Sequence, residues 1–280
     1  MFGLARYGLR LSRNTYRYLA FGRREFRGAF RGVFDNFDQA EAAAPPGAKI
    51  GFNHKNLAQE YRRELRLGLS SLDFPILFYL HNVLKGRNTV LDFGGNIGVH
   101  FLRYRKYLNV SEVRWIVCDV PEIAKVGLET CKGISNVAFV SDVDEIEEPV
   151  DILLASGSIQ YVASSQLPLR KLIDKNIRPK NIFIDQLPLY DGQQFVTLQN
   201  GGLVCYPQYV FNQEEFIGSL GGLGYELIDF WDDDNVNPCV IPFHPDKSIF
   251  VYKGLYLRHR ERRGDTNVLP SPGMYAVDAT

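Results

Sequence analysis

From Asn88 onward the chain alternates short β-rich runs with longer stretches whose apolar residues recur every three or four positions. The runs are Thr89 to Phe93, Val113 to Cys118, Val137 to Val140, Val150 to Ala155 and Asn181 to Asp185, and the stretches between them, Gly98 to Leu108, Pro121 to Cys131 and Gln166 to Asn176, have helical spacing. Strands that alternate with helices predict a parallel sheet, because each return to the same end of the sheet needs a crossover. The last part of the pattern differs. A helix over Gln213 to Leu220 precedes two strands, Tyr225 to Trp231 and Ser248 to Tyr252, whose connection is too short for a helical crossover, so they are expected to pair antiparallel. The fold class is therefore α/β: a mostly parallel sheet with an antiparallel strand near the C-terminal end and helices on both faces. Upstream, Asn53 and Asp73 are placed to cap helices running to about Leu67 and Lys85.

Ala42-Ala43-Ala44-Pro45-Pro46-Gly47 breaks any helix and predicts a boundary, with a basic N-terminal arm over 1–48, a domain over 49–257 and a polar tail over 258–280. Charge sharpens this division. Residues 1–34 hold eight arginines and one acid, Glu25, a net +7 that the rest of the chain balances to zero. On a helix, Arg6, Arg10, Arg13 and Arg17 form one stripe while Leu4, Leu11, Tyr18 and Leu19 lean toward another. Such an arm suits the acidic body of its own subunit, a neighbouring copy in a homo-oligomer, or an anionic membrane.

With 280 residues, 45% of them hydrophobic, the chain can bury one full core, which excludes disorder and a purely charge-driven partner such as nucleic acid. The apolar run Phe74 to Leu80 stops after seven residues, against the ~20 of a membrane-spanning helix. Cys118, Cys131, Cys205 and Cys239 lie far apart without a C-x-x-C pair and read as buried thiols, which places the chain in a reducing, cytoplasmic compartment, soluble or peripheral to the membrane. The five histidines do not cluster, so no metal site is expected.

Chemistry concentrates where the first strand runs into a helix: Val90-Leu91-Asp92-Phe93-Gly94-Gly95-Asn96-Ile97-Gly98. Glycines there let a ligand press against bare backbone, beside unpaired N–H groups at the helix start. The next two strands also end in acids, Asp119 and Asp142. A carboxylate at Asp119 can accept both ribose hydroxyls of an adenosine-containing ligand, and one at Asp142 can meet an adenine amino group. Asp92, two residues before the first glycine, would repel a pyrophosphate, which disfavours a nicotinamide oxidoreductase and argues for a cationic ligand.

This stretch resembles motif I of the class I S-adenosylmethionine-dependent methyltransferases, in which an acid, an apolar residue and a glycine-rich turn hold the amino-acid moiety of the cofactor. The resemblance spans about residues 74 to 253 and implies a Rossmann-like methyltransferase sheet that binds S-adenosyl-L-methionine. The binding set it implies is Asp92, Gly94, Gly95, Asn96, Gly98, Asp119, Val120, Asp142, Val143 and Ser156. Asn96 stands where many members have the middle glycine, and asparagine tolerates the positive φ the turn needs. Phe30-Arg31-Gly32-Val33-Phe34, Gly157-Ser158-Ile159-Gln160-Tyr161 and Leu223-Gly224-Tyr225-Glu226-Leu227 look most like a group of bacterial methyltransferases associated with surface-polysaccharide gene clusters.

The implied reaction is in-line displacement of a methyl group by a nucleophile on a small-molecule or glycan acceptor, with the protein supplying position and a dry cavity. A hydroxyl acceptor also needs a base, for which Asp185, Tyr161 and His100 are the candidates, with His54 and His244 further out. The segment Leu187 to Phe211, rich in glutamine and tyrosine, suits hydrogen bonding to a sugar or serves as a cover loop, and Asp232-Asp233-Asp234 reads as a solvated turn. Aminopropyl transfer on the same fold, and a non-catalytic cofactor- or glycan-binding protein, remain open alternatives.

Overall fold

The structure, a computed structural model, describes residues 12–163 and 167–260. Leu4, Arg6, Arg10 and Leu11 of the predicted stripe, Gln166 at the predicted start of the third crossover helix, and the tail beyond 260 lie outside them. Residues 12–19 (α1) are helical.

The larger sheet has seven strands: β2 (Thr89–Phe93), β3 (Arg114–Cys118), β4 (Val137–Val140), β5 (Ile152–Ser156), β6 (Asn181–Leu187), β10 (Tyr225–Asp233) and β11 (Tyr252–His259). Their order is β10-β11-β6-β5-β2-β3-β4, and β11 is antiparallel to both its neighbours while the pairs from β6 to β4 are parallel. The chain leaves β2 toward β3 and β4, then returns on the other side through β5 and β6. This reversal beside β2 opens a crevice at the carboxyl ends of the strands, the place where open α/β sheets bind ligands.

Successive side chains of a strand face opposite sides of the sheet, and both sides are buried. Leu91, Ile116, Leu153 and Ile182 pack with Leu169 and Leu172 of α7 (Pro168–Asp174) and Leu220 of α8 (Gln213–Gly222). Val90, Trp115, Val117, Ile152, Leu154 and Phe183 pack with Ile76, Leu77 and Leu80 of α4 (Asp73–Val83) and Phe101 and Tyr104 of α5 (Val99–Tyr104). The near-continuous apolar runs of the sequence thus become doubly covered strands. The four cysteines are free and buried, and among the described residues no helix is long and apolar enough to cross a membrane.

Four expectations change. The last strand runs over Tyr252–His259 instead of 248–252, so Arg258 and His259 belong to the sheet and not to a tail; the register Tyr225↔His259 to Asp233↔Tyr252 fixes this, while Ile249 makes an isolated bridge to Cys239. Asn53 does not cap α3 (Lys55–Glu64); His54 takes that position, and Asn53 Oδ1 accepts the N–H of Glu122 at the start of α6 (Pro121–Thr130), 3.0 Å away. Leu187 to Phe211 is not a cover loop. It holds β7 (Leu189–Tyr190), β8 (Phe195–Asn200) and the start of β9 (Cys205–Asn212), strands of a second sheet that also includes β1 (Phe30–Phe34) and is ordered β1-β8-β9-β7.

The fourth change concerns the arm. β1 (Phe30–Phe34) pairs antiparallel with β8, with Phe30 opposite Gln199 and Phe34 opposite Val196. Phe21 is fully buried beside Leu198 and Cys205, and the Asn200 amide donates to the carbonyls of Phe21 and Arg23. Arg24 and Arg27 pair with Glu60 of α3, and the Arg31 guanidinium lies over the Tyr18 and Phe21 rings and donates to the carbonyl of Ala43. The segment after residue 20 is built into the folded body on the near side of the expected boundary.

Candidate active site

The crevice beside β2 is a cleft of about 770 Å³. The turn that shapes it alternates in φ: Gly94 (+69°), Asn96 (+63°) and Gly98 (+88°) are all left-handed. Asn96 takes its place by accepting the N–H of Ile97 on its own Oδ1 at 2.8 Å. A β-carbon on Gly94 would lie 2.4 Å from that of Ser158, whose hydroxyl donates to the carbonyl of Phe93 at 2.7 Å. The loop after β5 thereby closes against the turn.

Asp119, at the end of β3, ties the turn to the sheet. Its Oδ2 accepts the N–H of Asn96 and its Oδ1 that of Val120, both at 2.8 Å. Burial pushes its carboxyl up to about 6, against the pull of those two N–H groups. Each oxygen keeps a lone pair, and the carboxylate lines the cleft with Val120 and Val143. Asp142 lines it too, but its Oδ1 accepts the Lys171 ammonium at 2.6 Å and the N–H of Asp144 at 2.9 Å; the lysine holds its carboxyl below the usual range. Asp142 also caps a 3-10 turn, Val143–Glu145.

Asp92 sits differently from the expectation. It does not line the cleft: it is fully buried beneath the turn, where Oδ1 meets His100 Nδ1 at 2.9 Å and Oδ2 accepts the indole N–H of Trp115 at 3.1 Å. Gly95 is glycine for this reason, since a β-carbon there would lie 2.4 Å from the Asp92 carboxyl. Gly98 likewise turns inward, toward Cys131 and Phe139. What reaches the cleft from this group is His100, in the first turn of α5, with 14% of its side chain exposed. Burial lowers its pKa, but the nearby carboxylates, Asp92 foremost, outweigh that and bring it up to about 9. The carboxylates thus favour the charged imidazole, a form suited to donating a hydrogen bond into the cleft.

Asp185 ends the parallel part of β6 directly beside Ser156 of β5. Asp185 is 2% exposed and lines the cleft, and its Oδ1 has no hydrogen-bond partner. Burial pushes the carboxyl up to about 7, with the Ser156 hydroxyl pulling the other way. The following residue, Gln186, is held at φ +53°: its N–H donates to Asp233 Oδ2 at 2.7 Å, its amide to Ser156 Oγ at 2.9 Å, and its carbonyl accepts from Gln160. Asp233 therefore belongs to no solvated turn; it is buried and also accepts the Trp231 indole at 3.1 Å. A strained backbone held by three partners is a way of fixing the carboxylate just before it.

Tyr161 forms a wall. Its hydroxyl donates to Gln199 of β8 at 2.8 Å and its ring meets Phe52 and Tyr206 edge-on, while burial holds the phenol far above its ordinary pKa, so it stays neutral. His54 and His244 do not line the cleft. Of the expected residues, the fold brings together Gly94, Asn96, His100, Asp119, Val120, Asp142, Val143, Ser156, Tyr161 and Asp185, and sets Asp92, Gly95 and Gly98 behind the surface.

Neither a scan of protein-family models nor a search of curated proteins finds a match for the chain. Among solved structures, similarity extends to a methyltransferase from Aquifex aeolicus described as SAM dependent, 16% identical over 75% of this chain and 100% of the other, TM-score 0.49. It extends also to the magnesium protoporphyrin IX methyltransferase of Synechocystis PCC 6803 with bound SAH, 10% identical over 75% and 96%, TM-score 0.49. A third is the Burkholderia thailandensis 1,6-didemethyltoxoflavin-N1-methyltransferase with bound S-adenosylhomocysteine, 20% identical over 78% and 95%, TM-score 0.46.

Sequence reasoning left out several residues of the cleft. Asp73 appeared as a helix cap; its buried carboxylate accepts the Ser70 N–H and hydroxyl and the Tyr104 hydroxyl, and it lines the cleft. Lys171 carries no local signal, since its partner Asp142 is 29 positions away, and the segments that contain Ser158 and Gln186 do not show that these side chains act through Phe93 and Ser156, 65 and 30 positions away.

Proposed function

We propose that the protein transfers the methyl group of S-adenosylmethionine to a hydroxyl on a small-molecule or glycan acceptor. The observation that carries this reading is a cleft at the switch point of the sheet in which a glycine turn and Asp119 face a buried, partnerless Asp185 oxygen. The residues fit the cofactor: Asp119 would hold the ribose hydroxyls, Val120, Val143 and Asp142 would border the adenine, and the turn would receive the amino-acid end. Bound there, the cofactor supplies an electrophilic methyl group. Asp185 Oδ1 takes the proton of the acceptor hydroxyl, and its carboxyl, at about 7, is poised to do so near neutral pH. Tyr161 and Phe52 give the acceptor an aromatic wall.

Calorimetry with S-adenosylmethionine, and a search for S-adenosylhomocysteine carried through purification, test the cofactor. Asp119→Ala removes a carboxylate from the cleft and a clamp from the turn, so affinity should fall roughly tenfold to a hundredfold. Unchanged affinity in a folded variant would sink the assignment. Binding without turnover over a broad panel of hydroxyl acceptors would favour a cofactor-binding protein without catalysis.

Peripheral contact with an anionic membrane through residues 1–34 is part of the proposal. Leu19 of α1 is 77% exposed, and Arg13, Tyr16 and Tyr18 of the same helix are exposed as well, which leaves apolar, aromatic and cationic groups of this segment open to solvent. Sedimentation with phosphatidylcholine vesicles should show binding when phosphatidylserine is included, weakening as salt rises. Equal recovery with neutral and anionic vesicles would remove this contact.

A further inference from the structure

The acid of the glycine turn is sealed away from the cleft, and the group it presents there is a cation. Both Asp92 oxygens are engaged beneath the turn, one with His100 Nδ1 at 2.9 Å and one with Trp115 Nε1 at 3.1 Å, and no part of the residue is exposed. Gly95 leaves the space that the carboxylate fills. With Nδ1 committed to Asp92, Nε2 is the nitrogen that His100 has left to offer the cleft. Resting on the cofactor reading above, we propose that His100 Nε2–H binds the carboxylate of the cofactor's amino-acid end, and that Asp92 is a positioning residue that keeps the imidazole charged and oriented.

The surroundings of His100 support a cationic role. Asp92 of β2, Asp185 of β6 and Asp73 at the start of α4 all act on the imidazole, and Tyr104 of its own helix packs against the ring at 5.6 Å. Three carboxylates stabilise the charged form more than burial opposes it, so the proton stays on through neutral pH. The sum of these groups remains negative even so. A zwitterion fits this arrangement: its carboxylate pairs with the imidazolium, while its ammonium lies in the field of the remaining acids without touching Asp92. An amino acid with a carboxylate is therefore distinguished from the corresponding amine by His100.

The experiment compares two ligands that differ in that one group, S-adenosylhomocysteine and its decarboxylated analogue S-adenosyl-3-thiopropylamine, by calorimetry on the full chain. Wild type should prefer the carboxylate-bearing ligand roughly tenfold to a hundredfold, the range of a charge-assisted hydrogen bond. His100→Gln should reduce the preference to within about threefold by weakening the first ligand and sparing the second. In Asp92→Asn the imidazole loses its main counter-charge, so the preference should persist at pH 5.5 and collapse at pH 8. Should the variants not fold, histidine-labelled wild type gives the answer by NMR: the carboxylate ligand, and not the amine, should shift the His100 ring signals. A preference unchanged by His100→Gln, or identical His100 shifts with both ligands, would overturn the inference while leaving the cofactor assignment intact. Failure of wild type to bind either ligand would overturn the cofactor assignment and this inference together.

Discussion

Gly95→Ala should abolish cofactor binding and lower stability by several kcal/mol. The new β-carbon would lie 2.4 Å from both Cγ and Oδ2 of Asp92, a separation at which something must move. The carboxylate cannot swing aside cheaply, because it is fully buried and holds His100 and Trp115 at once. If it moves, a buried charged pair is broken, at a cost of about 3 to 5 kcal/mol. If the backbone moves instead, Gly94 and Asn96 lose their left-handed geometry and Asn96 its bond to Asp119. Either route disorders the floor of the cleft. Urea unfolding and calorimetry with S-adenosylhomocysteine measure both consequences. Gly218→Ala is the control, since it is exposed within α8 with no atom within 4 Å of the new carbon, and should leave the midpoint unchanged or higher. A Gly95→Ala protein with wild-type stability and affinity would show that the carboxylate does not occupy that space.

Removing residues 1–48 should prevent the protein from folding as a soluble, cooperative unit. From sequence alone the Ala/Pro break places this cut at a boundary that should spare cofactor binding, unless Phe26, Phe30, Val33 and Phe34 pack on the domain. The pairing of Phe30–Phe34 with β8 reverses the expectation. The cut strips the buried Phe21 and Phe30 from two clusters, each phenylalanine contributing about 1.5 to 3 kcal/mol, and takes away both carbonyl partners of the Asn200 amide. It also leaves β8 as an open edge next to a bared apolar face, an invitation to aggregate. These losses together approach the ~5–15 kcal/mol that holds a domain folded. The damage should reach the cleft as well, because Gln199, which faces Phe30 across the two strands, accepts the hydroxyl of Tyr161. Soluble yield, the urea midpoint and affinity for S-adenosylhomocysteine in the full and shortened chains decide the matter. A soluble truncation that unfolds at the full-length midpoint would show that β1 is dispensable.

Much of the larger sheet is legible along the chain because its causes are local. Alternation and three-to-four spacing mark β2 to β6 and the crossover helices, and a glycine, an asparagine and a glycine at Gly94, Asn96 and Gly98 mark a turn whose φ values few other residues accept. The acids just after β3 and β4, and Asp185 where the predicted run from Asn181 ends, are visible in the same way, since a strand end is a position in the sequence. The second sheet also left a trace: Phe195 to Asn200, then Gly201-Gly202, then Cys205 onward is a hairpin pattern, obscured by the glutamines and tyrosines that suggested sugar binding.

What each carboxylate does was decided by tertiary structure. Asp92 is turned inward by an indole 23 positions later and an imidazole eight positions later, Asp142 is engaged by a lysine 29 positions on, and Asp233, in the middle of three consecutive aspartates, is claimed by the backbone of Gln186. Nor could a +7 segment reveal that its phenylalanines complete a sheet through a strand more than 160 residues away. A run of residues carries its own dihedral preferences and apolar period, so it determines elements and turns by itself. The direction of a polar side chain depends on which distant donor or acceptor spares it the cost of burial, and that partner exists only once the chain has closed on itself.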